Sequence, residues 1–405
     1  MIESLSSVEI TTKRDKILVW VLALMVIVGQ QAIGHSDTTL APSIIVQNMP
    51  KVNYCLTILA FFLINWGQKL TVNVMGKLFL ASTLFVLSMV DLFPGNSGSG
   101  FLLFLMMVCF AFCEDKVLLR AMVICRYYLV FIAAFGILTC LDFFVLHIIP
   151  HTVVPYYAGE GLSFYVNYFI SYILWQGGTS FRLCGSFNEP GIFGVTLALM
   201  LVMDKINLRK WSNIILLIAC CLTFSMACFI ILIIGACLYS IKNVKFMLAT
   251  IVIVLIGGAI ISQSENKDVQ YLVSRFEYDA REGKFRGDNR TGAGFLKAEQ
   301  EFKDSGKELF GMGDGYLASK GLSDYSSYKS VYVEFGYVGF FLTTVCFLIF
   351  SLLTTKGNKN ALIYWLCAGL TIYSRNNPYG VNELFYMYAG ILAVLWCEAQ
   401  QSADG

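Results

Sequence analysis

The residues best placed to do chemistry stand together in Arg182-Leu-Cys-Gly-Ser-Phe-Asn-Glu-Pro-Gly191, a polar run that leads directly into an apolar stretch. A guanidinium at such a boundary suits two-pronged contact with a phosphate. Pro190 is well placed in a first helical turn, and Glu189 beside a helix N-terminus is favoured by the helix dipole. A plainer account is a helix entry with a capping carboxylate and an anchoring arginine, and both accounts stay open. A second set of cations, Arg281, Lys284, Arg286 and Arg290, recurs around Asp288. For most members a solvated surface suffices, whereas Arg290 stands at the start of an expected helix. Arg375, in the turn-rich stretch Ser374–Asn382, is the third candidate. If Arg182, Arg290 and Arg375 converge, they form a cationic clamp for an anionic group emerging from a bilayer, such as a lipid pyrophosphate.

The chain that must position these residues is 57% hydrophobic and 14% charged, with a mean hydropathy of +0.68. Soluble domains carry roughly 25% charged residues, so the composition predicts an all-α polytopic membrane protein. The net charge of +2 says little, because charge in such a chain is partitioned by topology; no nucleic-acid partner is expected. Cysteines such as Cys109, Cys113, Cys220, Cys221, Cys228 and Cys346 lie inside apolar runs and read as small buried hydrophobes. His35, His147 and His151 lack metal-ligand spacing, so neither a metal nor another cofactor is expected. Ile17–Gly34 is followed by no cleavage pattern and reads as a first span rather than a signal peptide.

Spans of about 20 apolar residues are expected at Ile17–Gly34, Val52–Trp66, Val74–Leu92, Gly100–Cys113, Ile124–His147, Pro190–Met203, Asn213–Phe224, Met226–Ser240, Phe246–Ile261, Val331–Leu353, Ala361–Tyr373 and Glu383–Cys397. Whether Asn213–Ser240 is one helix or a hairpin is decided by charge. With a hairpin, the clusters at Lys13/Arg14/Lys16, Lys69/Lys77, Lys116/Arg120, Lys205/Arg209/Lys210, Lys242/Lys245 and Lys356/Lys359 all fall on one side, as the positive-inside bias requires. About twelve transmembrane helices with both termini cytoplasmic follow: nine in residues 1–261, three in 331–405. Between them the hydrophilic segment 262–330 is a large helical extracytoplasmic loop. An interfacial segment at 148–182 includes the aromatic stretch Leu162–Trp175, expected as a helix along the membrane surface or a re-entrant piece. In the long loop, Asp268–Ala280 and Thr291–Asp304 read as helices, the second with Asn289 or Thr291 as cap and an apolar face of Phe295, Ala298 and Phe302. Gly311–Gly315 lacks the features of a phosphate loop and reads as a tight turn. Tyr328 and Lys329 lie where the loop re-enters the membrane, as interfacial anchors or as sugar-binding groups.

Three stretches resemble the superfamily of O-antigen polymerases (Wzy-type) and O-antigen ligases. RLCGSFNEPGIFG at Arg182–Gly194 is similar to the family's Arg-x-x-Gly-x-Phe-x-x-Pro entry into a span. NRTGAGFLKAEQEFKDSGKELFGMGDGY at Asn289–Tyr316 resembles the loop in which an arginine opens a helix and a Leu-Phe-Gly-x-Gly turn closes the segment. VEFGYVGF at Val333–Phe340 is similar to the Glu-x-Gly-x-x-Gly entry of the next span, and the hairpin turn LTFS at Leu222–Ser225 also fits. Ligase-like members usually carry a histidine before the Glu-x-Gly entry. SDYSSYKSVY here has none, and LTFSMA lacks the arginine often found after the serine. Both departures favour a polymerase.

The resemblance implies a GT-C-like fold and a metal-independent glycosyl transfer at the outer face of the cytoplasmic membrane, between undecaprenyl-pyrophosphate-linked donor and acceptor oligosaccharides. Membrane lipids and a chain-length regulator protein are the expected partners. Arg182 and Arg290 would stabilise the pyrophosphate leaving group. Glu189 or Asp288 would take the acceptor proton. Arg375, Asn188, Arg286, Tyr328 and Lys329 would bind substrate. A ligase acting on the lipid A core is the related alternative. A flippase or transporter of lipid-linked sugar is the alternative of another class, for which Arg126 and Asp142 within a span are the residues to check.

Overall fold

The fold is described from a computed structural model covering residues 8–30, 44–67, 108–110, 112–158, 161–175, 181–187, 189–240, 277–279, 284–285, 293–313, 315–322, 328–341, 345–375 and 381–403, with isolated residues elsewhere. The described residues are mostly helical. They divide into two units: residues 1–29, 51–124 and 289–405, and residues 30–50 and 125–288.

In the first unit, α1 (Lys13–Gln30) opens on Thr12, whose hydroxyl accepts from the Asp15 backbone N–H at 3.0 Å and donates to the Asp15 carboxylate at 2.6 Å. That closes the first turn as a cap should. α2 (Ile44–Leu63) meets α1 where the buried Thr57 hydroxyl donates to Met25 Sδ at 3.4 Å. The start of α3 (Asp115–Leu141) also belongs to this unit.

The second unit contains the rest of α3, a π-helical turn over Asp142–Leu146, and four strands: β1 (Thr152–Ala158), β2 (Gly161–Asn167), β3 (Tyr172–Trp175) and β4 (Phe181–Gly185). The strands pair in sequence order as an antiparallel meander. Helices α4 (Pro190–Met203), α5 (Trp211–Leu222) and α6 (Met226–Ser240) follow, then the two-residue strands β5 (Tyr278–Asp279) and β6 (Lys284–Phe285).

The long polar segment returns the chain to the first unit. Here α7 (Ala293–Asp304) and α8 (Tyr316–Ser319) are followed by α9 (Tyr328–Phe340), α10 (Cys346–Thr354), α11 (Lys359–Arg375) and α12 (Val381–Ala403). Phe295, Ala298 and Phe302 of α7 are buried, on the spacing read from the sequence, together with Leu317 and Val333. α11 and α12 approach closely at Gly390, where an added Cβ would lie 2.1 Å from the Tyr364 hydroxyl that donates to the Tyr386 carbonyl.

Two expectations need correcting. Leu162–Trp175 is not a helix: it spans β2, a turn and β3, so the chain is not all-α. Alternating aromatic and β-branched residues favour a pleated surface, and Pro155 lies in β1, the edge strand, where a missing N–H is tolerated. Within the expected helix at Asp268–Ala280, Tyr278 and Asp279 form β5 and pair with Phe285 and Lys284, while most of the rest of that stretch lies outside the described residues.

Other expected stretches match the observed helices more closely. Pro190–Met203 and Met226–Ser240 are helices with those bounds, and Asn213–Ser240 is a hairpin of α5 and α6 joined at Thr223–Ser225. Phe224 turns that corner at φ 46°. Among the described residues one helical stretch, Asp115–Leu146, is long and apolar enough to cross a membrane, whereas Lys51–Leu63 and α4–α6 are apolar but shorter. The expected spans Val74–Leu92 and Phe246–Ile261, and most of Gly100–Cys113, lie outside the described residues.

Candidate functional site

Arg182 sits on β4 and is 9% exposed. Its Nε donates to the Thr223 carbonyl in the α5–α6 turn at 3.1 Å. Two motif stretches distant in sequence are thus joined by one guanidinium, whose plane this bond orients. Three further contacts hold the joint. Phe181 packs edge-on against Phe224, with centroids 5.4 Å apart. A Cβ at Gly194 would stand 2.6 Å from Thr223 Oγ1, so α4 touches the turn with no room for a side chain. The Cys220 thiol reaches the Gly194 carbonyl at 3.8 Å.

Between Arg182 and α4 the chain turns sharply. Gly185 has φ +58°, and a Cβ there would meet Phe193 and Ile132 within 3 Å. Ser186 is buried and accepts from the Tyr128 hydroxyl of α3 at 2.8 Å. Glu189 is the N-cap residue in extended conformation, with Pro190 following in the first turn. Its side chain makes no capping hydrogen bond, so the carboxylate is not a local cap. Burial pushes the Cys184 thiol up to about 12, with Arg182 opposing that rise and Glu189 adding to it. The Cys184 thiol reaches the Arg182 carbonyl at 3.8 Å, and a thiol raised in this way is disfavoured as a nucleophile.

Of the other predicted site residues, Asn188, Arg286, Asp288 and Arg290 lie outside the described residues. Arg375 is the last residue of α11 rather than part of a loop. Tyr328 and Lys329 open α9; Tyr328 lies 6.4 Å from Tyr332 and 6.1 Å from Phe340, centroid to centroid.

The Gly-x-Gly turn and the Glu-x-Gly entry pack on one another. Met312 N–H donates to the Val333 carbonyl and Gly313 N–H to that of Glu334, both at 2.9 Å. In return, Tyr337 and Val338 N–H donate to the Glu308 and Leu309 carbonyls. Glu334 is drawn into the same joint, its carboxylate accepting from Leu317 N–H at 3.2 Å. Gly336, at φ 69° and ψ −178°, breaks α9 where the sequence reads as one continuous span.

Sequence reasoning passed over Thr223, Tyr128 and Glu299. Glu299 on α7 accepts from the Tyr332 hydroxyl and lies 3.0 Å from Lys303 Nζ. Partial burial pushes its carboxyl up, but the bonds from Tyr332 and Lys303 outweigh that and hold it below the ordinary glutamate range. A carboxyl lowered on folding stabilises the fold fully above its unfolded pKa of about 4.3, and that contribution disappears as pH falls through the lower folded value. The thermal midpoint of the parent should therefore drop between about pH 5 and pH 3 more steeply than that of Glu299→Gln. Parallel midpoint-against-pH curves for the two would refute the pairing.

Arg126 in α3 and Asp142 in the π turn that follows it are tied up locally. Arg126, 1% exposed, donates to the Met200 carbonyl at 2.9 Å, to Asp204 at 3.3 Å and to Asn213, while Lys210 joins Asp204 at 3.2 Å. Asp142 accepts from Ile148 N–H, Ile149 N–H and the Tyr168 hydroxyl. Among the described residues no group of His, Cys, Asp and Glu is arranged to hold a metal ion. No model of a known protein family, no curated protein and no solved structure matches the chain.

Proposed function

We propose that this chain is an O-antigen polymerase: a membrane protein of about twelve spans that joins undecaprenyl-pyrophosphate-linked repeat units at the periplasmic face of a bacterial inner membrane. The observation that carries this reading is the joint at Arg182. The stretch most similar to the family's arginine entry packs, through Arg182, Gly194 and Phe181, on the stretch that fits its hairpin turn. The pairing of the other two similar stretches through Gly311 and Gly336 supports it further.

In this reading the acceptor hydroxyl oxygen attacks the anomeric carbon of the donor glycan. The bond to the pyrophosphate breaks, and the carrier leaves with the electron pair. Arg182 stabilises that charge, and Glu189 or Asp288 takes the hydroxyl proton. Undecaprenyl-pyrophosphate glycans serve as donor and acceptor, and a separate chain-length regulator sets polymer size. The flippase reading has less support, because Arg126 and Asp142 are held in local hydrogen-bond sets rather than along a path.

Deletion and complementation, with surface polysaccharide resolved on a gel, is the test. A ladder that collapses to core plus one repeat unit is expected. Accumulation of lipid-linked polymer with no capped species would instead indicate a ligase, and loss of repeat units from the outer face would indicate a flippase.

A further inference from the structure

The end of α3 carries an apolar surface that neither the arginine joint nor the long loop accounts for. Tyr127, Phe131, Leu138, Leu141 and Val145 are all exposed along one side of the helix and its π turn. The strip does not stop where the helix does. Ile148 is 74% exposed and Phe169, at the β2–β3 turn, is 88% exposed. A phenylalanine so exposed is unusual for a second reason: its φ of 71° lies in the left-handed region, where a bulky side chain is strained and glycine is favoured. The Asn167 side chain holds that conformation by accepting from Phe169 N–H at 2.7 Å.

One buried carboxylate ties these pieces into a single surface. Asp142 Oδ1 accepts from Ile148 N–H at 2.8 Å and Ile149 N–H at 3.0 Å, and Oδ2 accepts from the Tyr168 hydroxyl at 3.0 Å. The neighbour of Phe169 in the turn is thus bonded to the residue that also fixes Ile148. The His151 ring, 4.9 Å from that of Tyr168, closes the back of the arrangement.

We infer that Phe169 and Ile148 form a wedge that enters the lipid headgroup and upper acyl region, so that the β-meander is held against the bilayer and keeps the Arg182 entry, on its last strand, at membrane depth. The inference rests on the membrane reading proposed above. The occupant is lipid because the surface continues the exposed strip of the helical stretch that, among the described residues, is long and apolar enough to cross a membrane. Exposed aromatic and aliphatic groups at the end of a span suit that depth.

Photo-crosslinking of the full chain in vesicles of phosphatidylethanolamine and phosphatidylglycerol tests it. Phe169, Ile148 and Leu138 are replaced one at a time by p-benzoylphenylalanine, a close analogue of phenylalanine, and adducts are identified by mass. Phospholipid adducts at 169 and 148, in yields comparable to position 138, are expected. Lipid adducts at 138 alone, with protein adducts or none at 169 and 148, would overturn the wedge and leave the membrane reading intact. Absence of lipid adducts at all three positions would overturn both.

Discussion

Gly336→Ala should be among the most destabilising single substitutions in the chain. A Cβ at Gly336 would lie 2.3 Å from the Leu309 carbonyl oxygen and 2.5 Å from Gly311 N, and a Cβ at Gly311 would lie 2.1 Å from the Glu334 carbonyl oxygen. Both obstacles are backbone, so neither can rotate aside. The segments must separate, which breaks the hydrogen bonds from Met312, Gly313, Tyr337 and Val338. Each is worth about 1 kcal/mol, and the backbone of Gly336 lies in a region essentially closed to other residues, at about 1–3 kcal/mol. A loss on the order of 4 kcal/mol or more follows, which is exceptional for one substitution. Gly321→Ala supplies the control, since Gly321 has φ +68° and nothing within 4 Å of an added Cβ; only the left-handed cost of about 1–2 kcal/mol applies. Thermal midpoints of the purified protein decide the matter, and Gly336→Ala no worse than Gly321→Ala would remove the packed joint from the account.

The contrast between what could and could not be read beforehand follows from the range of the interactions. The buried face of α7 was legible because Phe295, Ala298 and Phe302 repeat at helical spacing. The α5–α6 hairpin is legible because the positive-inside bias groups the lysine and arginine clusters on either side of it only if the chain turns back there. The sheet is not legible in the aromatic density of Leu162–Trp175, because the same aromatic and β-branched residues suit an interfacial helix and a pleated surface alike. Gly336 was read as part of an unbroken span, since the carbonyl that forces its conformation belongs to Leu309, far back in the sequence. Nothing local announced that Arg182 meets Thr223, forty-one positions away. Each motif could be recognised singly. Their pairing is a property of the fold.

Arg182→Lys tests whether that pairing serves chemistry or only architecture. The guanidinium has five donors in a rigid plane, of which Nε bonds the Thr223 carbonyl. If Arg182 is only an anchor, a lysine that keeps the charge and offers an N–H to the same carbonyl retains most of the function. If it stabilises a pyrophosphate leaving group, lysine fails even where the fold survives, because a point charge does not reproduce the planar fork. Loss of one such stabilising group costs about 10²–10³ in turnover. Arg182→Ala should show that loss together with a lower thermal midpoint, since the buried Thr223 carbonyl is left unsatisfied at about 1–3 kcal/mol. For Arg182→Lys the expectation is a midpoint near the parent's with repeat-unit polymerisation lowered by about the same factor as in alanine. The readout is chain growth on defined lipid-linked repeat units at equal protein levels. Parent-like polymer from Arg182→Lys would reduce Arg182 to a strut between β4 and the hairpin turn, and the charge stabilisation would have to come from other residues.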